Sequence, residues 1–124
     1  MNRSEIKMKI AVSSTGKELK DLMDDRFGRC TYFVIYDSET NKTEFIENEG
    51  HKTGAGAGIA AAQQILDEDI NIIITGYLGP NAFDVFEGSD IEAFKCSDVT
   101  VQEAIELYRN NKLEKLEYAS PARK

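Results

Sequence analysis

The run INIIIT at residues 70–75 constrains the fold of this chain more than any other stretch. Its isoleucines leave no polar side, and a strand without a polar side must be covered on both faces. Such strands belong to α/β architectures, in which helices pack on both faces of a largely parallel sheet. The neighbouring segments agree with that demand. Residues 57–67 set Ile59, Ala62 and Leu66 at helical spacing, and the intervening alanines let such a helix approach a sheet closely. After Gly79, Pro80 occupies the first position of a second helix, which Gly88 closes. Thr100 and Glu103 form a capping-box pattern ahead of a third helix, whose buried stripe is Val101, Ala104, Ile105 and Tyr108.

Three further strands precede the first helix. Residues 8–13 (MKIAVS) alternate, residues 31–36 (TYFVIY) are aromatic and β-branched, and residues 42–47 (KTEFIE) are polar enough for an edge. Leu19, Leu22 and Met23 predict a short helical turn over residues 18–24, and residues 91–95 (IEAFK) predict a fifth strand. Short links make the first three strands an antiparallel meander, whereas helical crossovers make the later ones parallel. The expected fold is a single α/β domain. It holds a five-stranded mixed sheet, order 3-2-1-4-5 with strand 2 antiparallel, and helices on both faces. Residues 1–7 read as an N-terminal extension, 8–113 as the domain and 114–124 as a loose tail.

Composition narrows the function classes. The 124 residues carry a net charge of −7, which argues against general nucleic-acid binding. No apolar run has the length of a membrane span and the first residues lack a signal-peptide core, so no membrane role and a cytoplasmic location are expected. The two cysteines, Cys30 and Cys96, form neither a disulfide framework nor a CxxC pair.

Open α/β sheets bind ligands at the carboxyl ends of their strands. In the expected order that rim gathers residues 13–16, 26–30, 50–58, 76–80 and 95–98. It brings together both cysteines, the single histidine His51, most glycines, and the cations Arg26, Arg29, Lys52 and Lys95, with Asp24, Asp25, Glu49 and Asp98 close by. The stretch GHKTGAGAG, residues 50–58, runs directly into a helix, as anion-binding loops do. A P-loop is excluded because Lys52 and Thr53 precede the glycines rather than follow them. The relaxed dinucleotide pattern starting at Gly56 and Gly58 lacks the acidic residue needed near residues 75–77. Strands KIAVSS and NIIITG supply no carboxylates for a metal-dependent nuclease. A Cys30–His51 nucleophilic pair lacks an identifiable orienting group. As metal donors the same residues suit iron or iron–sulfur species. However, Cys30 and Cys96 stand three strand spacings apart, roughly 14 Å. They would then flank a larger anion, or act across a homodimer.

The segments RFGRCTYFVIYD, GAGAGIAAAQQIL, IIITGYLGPNAF and VQEAIELYRNNKL occur in that order between residues 26 and 113, within a resemblance that covers residues 8–113. Together they resemble the dinitrogenase iron–molybdenum cofactor biosynthesis family, the NifX/NifY-type domain also found at the C-terminus of NifB. The resemblance implies a ribonuclease H-like domain without nuclease activity. It also implies a non-enzymatic carrier of iron–sulfur or iron–molybdenum–sulfur clusters, with cluster donor or acceptor proteins as partners. On this chain the candidate contacts are Arg26, Arg29, Lys52, Gly54, Gly56, Gly58, Gly76 and Gly79, with Cys30, His51 and Cys96 as candidate metal donors. A metal-free interaction or regulatory domain on the same fold is the alternative, and a phosphate-ligand module a third reading.

Overall fold

The structure is a computed structural model and describes residues 8–52 and 56–121. The chain runs β1 (Lys9–Ser14), β2 (Tyr32–Asp37), β3 (Lys42–Glu47), a 3₁₀ turn (Glu49–Lys52), α1 (Ala57–Leu66), β4 (Ile72–Thr75), α2 (Pro80–Phe86), β5 (Glu92–Lys95), α3 (Val101–Arg109) and β6 (Glu114–Lys115). The strands form one sheet in the order β3-β2-β1-β4-β5-β6. β2 is antiparallel to both β1 and β3, and β4 is parallel to β1 and to β5.

The isoleucine run is the centre of this construction. All four residues of β4 are buried. Ile73 points into a cluster with Ala11, Phe33 and Ile35, sealed by Ala61, Ala62 and Ile65 of α1 and Ala82 and Phe86 of α2. Ile72 and Ile74 point the other way, into a cluster with Ile10, Val12 and Val34 sealed by Val101, Ala104 and Ile105 of α3. Helices therefore cover both faces, as a strand apolar on both sides requires. The capping box forms as expected: the Thr100 side chain accepts from the Glu103 amide, and the Glu103 carboxylate accepts from the Thr100 amide.

Two expectations are corrected. The sheet has six strands rather than five, because the segment read as a tail folds back. Lys115 and Glu114 pair antiparallel with Phe94 and Lys95. Beyond them the Leu116 amide donates to the Ala93 carbonyl, and the Ser120 amide donates to the Leu78 carbonyl. A two-residue strand has no alternation to read, so pattern alone does not reveal it.

The helical turn expected over residues 18–24 is replaced by long-range pairing. Met23 bridges Ser14, and Leu22 bridges Thr100. The Val101 and Gln102 amides, orphan donors at the start of α3, donate to the carbonyls of Asp21 and Leu19. One turn of helix is too short to nucleate alone, and satisfying the end of a neighbouring helix outweighs it.

Candidate functional site

Reversal of β2 brings its first residues to the rim where β1, β3, β4 and β5 end. Three backbone segments meet there without side chains between them. A methyl group added at Gly28 would stand 3.1 Å from both the nitrogen and Cα of Gly58. One added at Gly50 would overlap the Ala57 carbonyl oxygen and lie 2.8 Å from that of Gly28. The loop before β2, the 3₁₀ turn and the start of α1 thus share a glycine-lined seam. Gly76 continues it, since a methyl there would overlap the Asp25 carboxylate. On the same side, Arg26 bridges Tyr77, and the Phe27 amide donates to the Tyr77 carbonyl at 3.1 Å.

Asn48, fully buried, locks this seam. Its side-chain nitrogen lies 2.9 Å from the Cys30 carbonyl, 3.2 Å from that of Gly28 and 3.3 Å from that of Phe27. Its side-chain oxygen accepts the Gly50 amide at 2.9 Å, and its backbone carbonyl accepts the His51 amide. Gln64 of α1 adds a second tie, donating to the Glu47 carbonyl at 2.6 Å and accepting the Glu49 amide at 2.9 Å. Sequence reading missed both residues. An Asn after a strand and a Gln on an amphipathic helix look like ordinary surface polar groups, and only tertiary placement distinguishes them.

The expected site residues divide into an exposed set and a buried set. Arg26, Arg29, His51 and Lys52 are exposed on the rim. Arg26 pairs with Asp24 at 3.3 Å, and this hydrogen bond holds its guanidinium pKa above the ordinary value. Lys52 pairs with Glu47 at 3.1 Å and Glu49 at 3.8 Å, and the Glu47 contact raises its ammonium pKa. Gly56 precedes α1 with φ 72°, and no side chain caps that helix among the described residues. Gly79 precedes α2, also without a side-chain cap. Gly54 lies outside the described residues.

Both cysteines turn inward. Cys30 is fully buried in the α1–α2 cluster, where its thiol faces the Phe27 carbonyl at 3.4 Å and burial pushes its pKa up to about 12. Cys96 lies in the α3 cluster on the opposite face, its thiol pKa also raised by burial. The sheet itself separates them, so they cannot meet at one ion. Among the described residues no group of three or more His, Cys, Asp or Glu side chains is placed to hold a metal. Neither thiol is exposed on the rim. No described helix is long and apolar enough to cross a membrane.

Fold and rim together define a small α/β domain with a glycine-lined edge that exposes both cations and carboxylates. The chain belongs to the family described as dinitrogenase iron–molybdenum cofactor, which matches residues 8–111. Membership points to iron–molybdenum cofactor biosynthesis. An uncharacterised protein of Methanocaldococcus jannaschii is 34% identical over 113 residues, covering 89% of this chain and 92% of its own. The apo form of the orange protein from Desulfovibrio gigas superposes with a TM-score of 0.87 at 30% identity, over 92% of this chain and 97% of that one. A candidate NifB protein from Thermotoga gives 0.80 at 29% identity, with the same coverage.

Proposed function

We propose that this chain carries, as cargo, an anionic iron–sulfur or iron–molybdenum–sulfur cluster or its precursor during cofactor assembly. The observation that carries this reading is the seam of Gly28, Gly50 and Gly58, which sets the start of α1 beside the mixed-charge loop before β2 that exposes Arg26 and Arg29. A helix start attracts anions through its free amides and the helix dipole. Arg26, Arg29 and Lys52 offset the cargo's charge, and His51 is the exposed soft donor. Gly56, Gly76 and Gly79 keep the surrounding loops free of side-chain bulk. Cys30 and Cys96 support the fold from within, and thiolate ligation by either would require exposing and deprotonating a buried thiol. The chain would act as a carrier rather than an enzyme, exchanging cargo with cluster donor and acceptor proteins in the cytoplasm.

Anaerobic titration with a synthetic iron–sulfur thiolate cluster, followed by absorbance, tests this. Saturable binding is expected, weakened about ten-fold or more by Arg26→Ala/Arg29→Ala with His51→Ala and little changed by Cys96→Ala. Binding indifferent to the rim variants would overturn the assignment of those residues. A second reading, a metal-free interaction domain, draws on the ion pairs that already engage Arg26 and Lys52. Absence of cluster uptake under the same conditions would favour it.

A further inference from the structure

On the face covered by α1 and α2, a groove of about 520 Å³ opens between the end of α2 and the strands β5 and β6. Its origin is local. α2 lasts only seven residues, Gly88 at φ 85° turns the chain away, and Ala93 leaves the floor of β5 shallow. Leu78 and Phe86 form a buried floor, and Phe86 is fixed edge-on against Phe27 at 5.7 Å between ring centres. Phe83, Ile91 and Leu116 line the walls while remaining only partly buried. Among the described residues the rim carries Glu87, Asp90, Glu92 and Glu117 against one cation, Lys115, which Glu92 already holds at 2.9 Å.

We propose that this groove docks a segment of a partner protein in which apolar anchors are interspersed with lysine or arginine. The partly exposed apolar walls of Phe83, Ile91 and Leu116 inside a ring of carboxylates complement such a segment in both respects. The same carboxylates repel nucleic acid and anionic lipid. A second copy of this chain fits poorly, because a symmetric contact would set acidic rim against acidic rim in a chain of net charge −7. The inference is independent of the cargo reading, although Leu78, in the loop beside the glycine seam, also forms part of the groove floor.

The test uses the full chain, ¹⁵N-labelled, and a fluorescein-labelled synthetic peptide of leucine pairs separated by lysines. Saturable binding is expected, with amide shift changes concentrated at Phe83, Ile91 and Leu116. Affinity should fall about ten-fold in Glu87→Lys/Asp90→Lys, a variant confined to exposed side chains. The proposal is overturned by no binding, by equal affinity for the peptide with glutamate in place of lysine, by an unchanged affinity in the double variant, or by shift changes confined to other surfaces. A dimer by sedimentation whose interface protects these same amides would overturn it in favour of a second copy.

Discussion

The side-chain nitrogen of Asn48 and the carbonyl oxygen of Cys30 stand 2.9 Å apart in a fully buried setting, joining the end of β3 to the loop that opens β2. This bond fixes the rim from beneath, since the same side chain also reaches the Gly28 carbonyl and the Gly50 amide. Replacing Asn48 by Asp would aim a carboxylate at carbonyl oxygens and strand them without a donor. Asn48→Asp should cost about 3 kcal/mol in urea denaturation at neutral pH. A loss below about 0.5 kcal/mol would show that the seam does not depend on this amide.

Cys30 gives the protein an alkaline liability. Its thiol stays protonated in the fold up to about 12 against an ordinary value of 9.0, because burial disfavours the thiolate. The unfolded chain sheds that proton first, so the stabilising contribution is complete below pH 9 and is lost as pH rises toward 12. The slope is at most about 1.4 kcal/mol per pH unit. Denaturation midpoints of wild type and Cys30→Ala should therefore converge as pH rises above 9, and native Cys30 should resist alkylation at neutral pH. Rapid alkylation of the native thiol would contradict its burial.

Two glycines of the rim should respond very differently to alanine. At Gly50 the added methyl meets backbone oxygens that cannot move aside, and the expected cost is about 3 kcal/mol. At Gly56 the methyl meets open space and only φ 72° opposes it, for about 1 kcal/mol. Gly56→Asn, which tolerates that conformation better, should be milder still. Chemical denaturation of the three variants checks the order.

Residues 114–121 act as a strap over the β5 edge. The Leu78 amide donates to the Ser120 hydroxyl at 3.0 Å, while the Ser120 amide donates back to the Leu78 carbonyl at 2.8 Å. Ser120→Ala should raise hydrogen exchange at Leu78 selectively and cost about 1 kcal/mol. Exchange unchanged at Leu78 would show that the strap does not restrain that loop.

Much of the fold was legible because its strongest signals are local and redundant. The isoleucine run, the Gly79-Pro80 helix start and the Thr100–Glu103 capping box each carry a mechanism readable within a few residues. The strand order through β5 followed from the short links of the meander and the handedness of the helical crossovers. What escaped depends on distant partners. Residues 18–24 are shaped by the start of α3, and β6 by an edge that only exists once β5 is in place. Likewise, RFGRC sets Arg29 and Cys30 side by side, but does not tell that one is exposed and the other buried. That choice is made by Asn48 and the aromatic cluster beneath, neither of which the local pattern announces.

The glycine seam separates two kinds of constraint that binding surfaces usually entangle. Its shape is held from below by buried groups, whereas Arg26, Arg29, His51 and Lys52 project outward and carry little of the packing. Substitutions among those four therefore alter charge and donor type while leaving the architecture intact. Such a scaffold can change the charge of its surface without changing its fold. Chains that share this backbone are free to differ in surface charge while keeping the same fold.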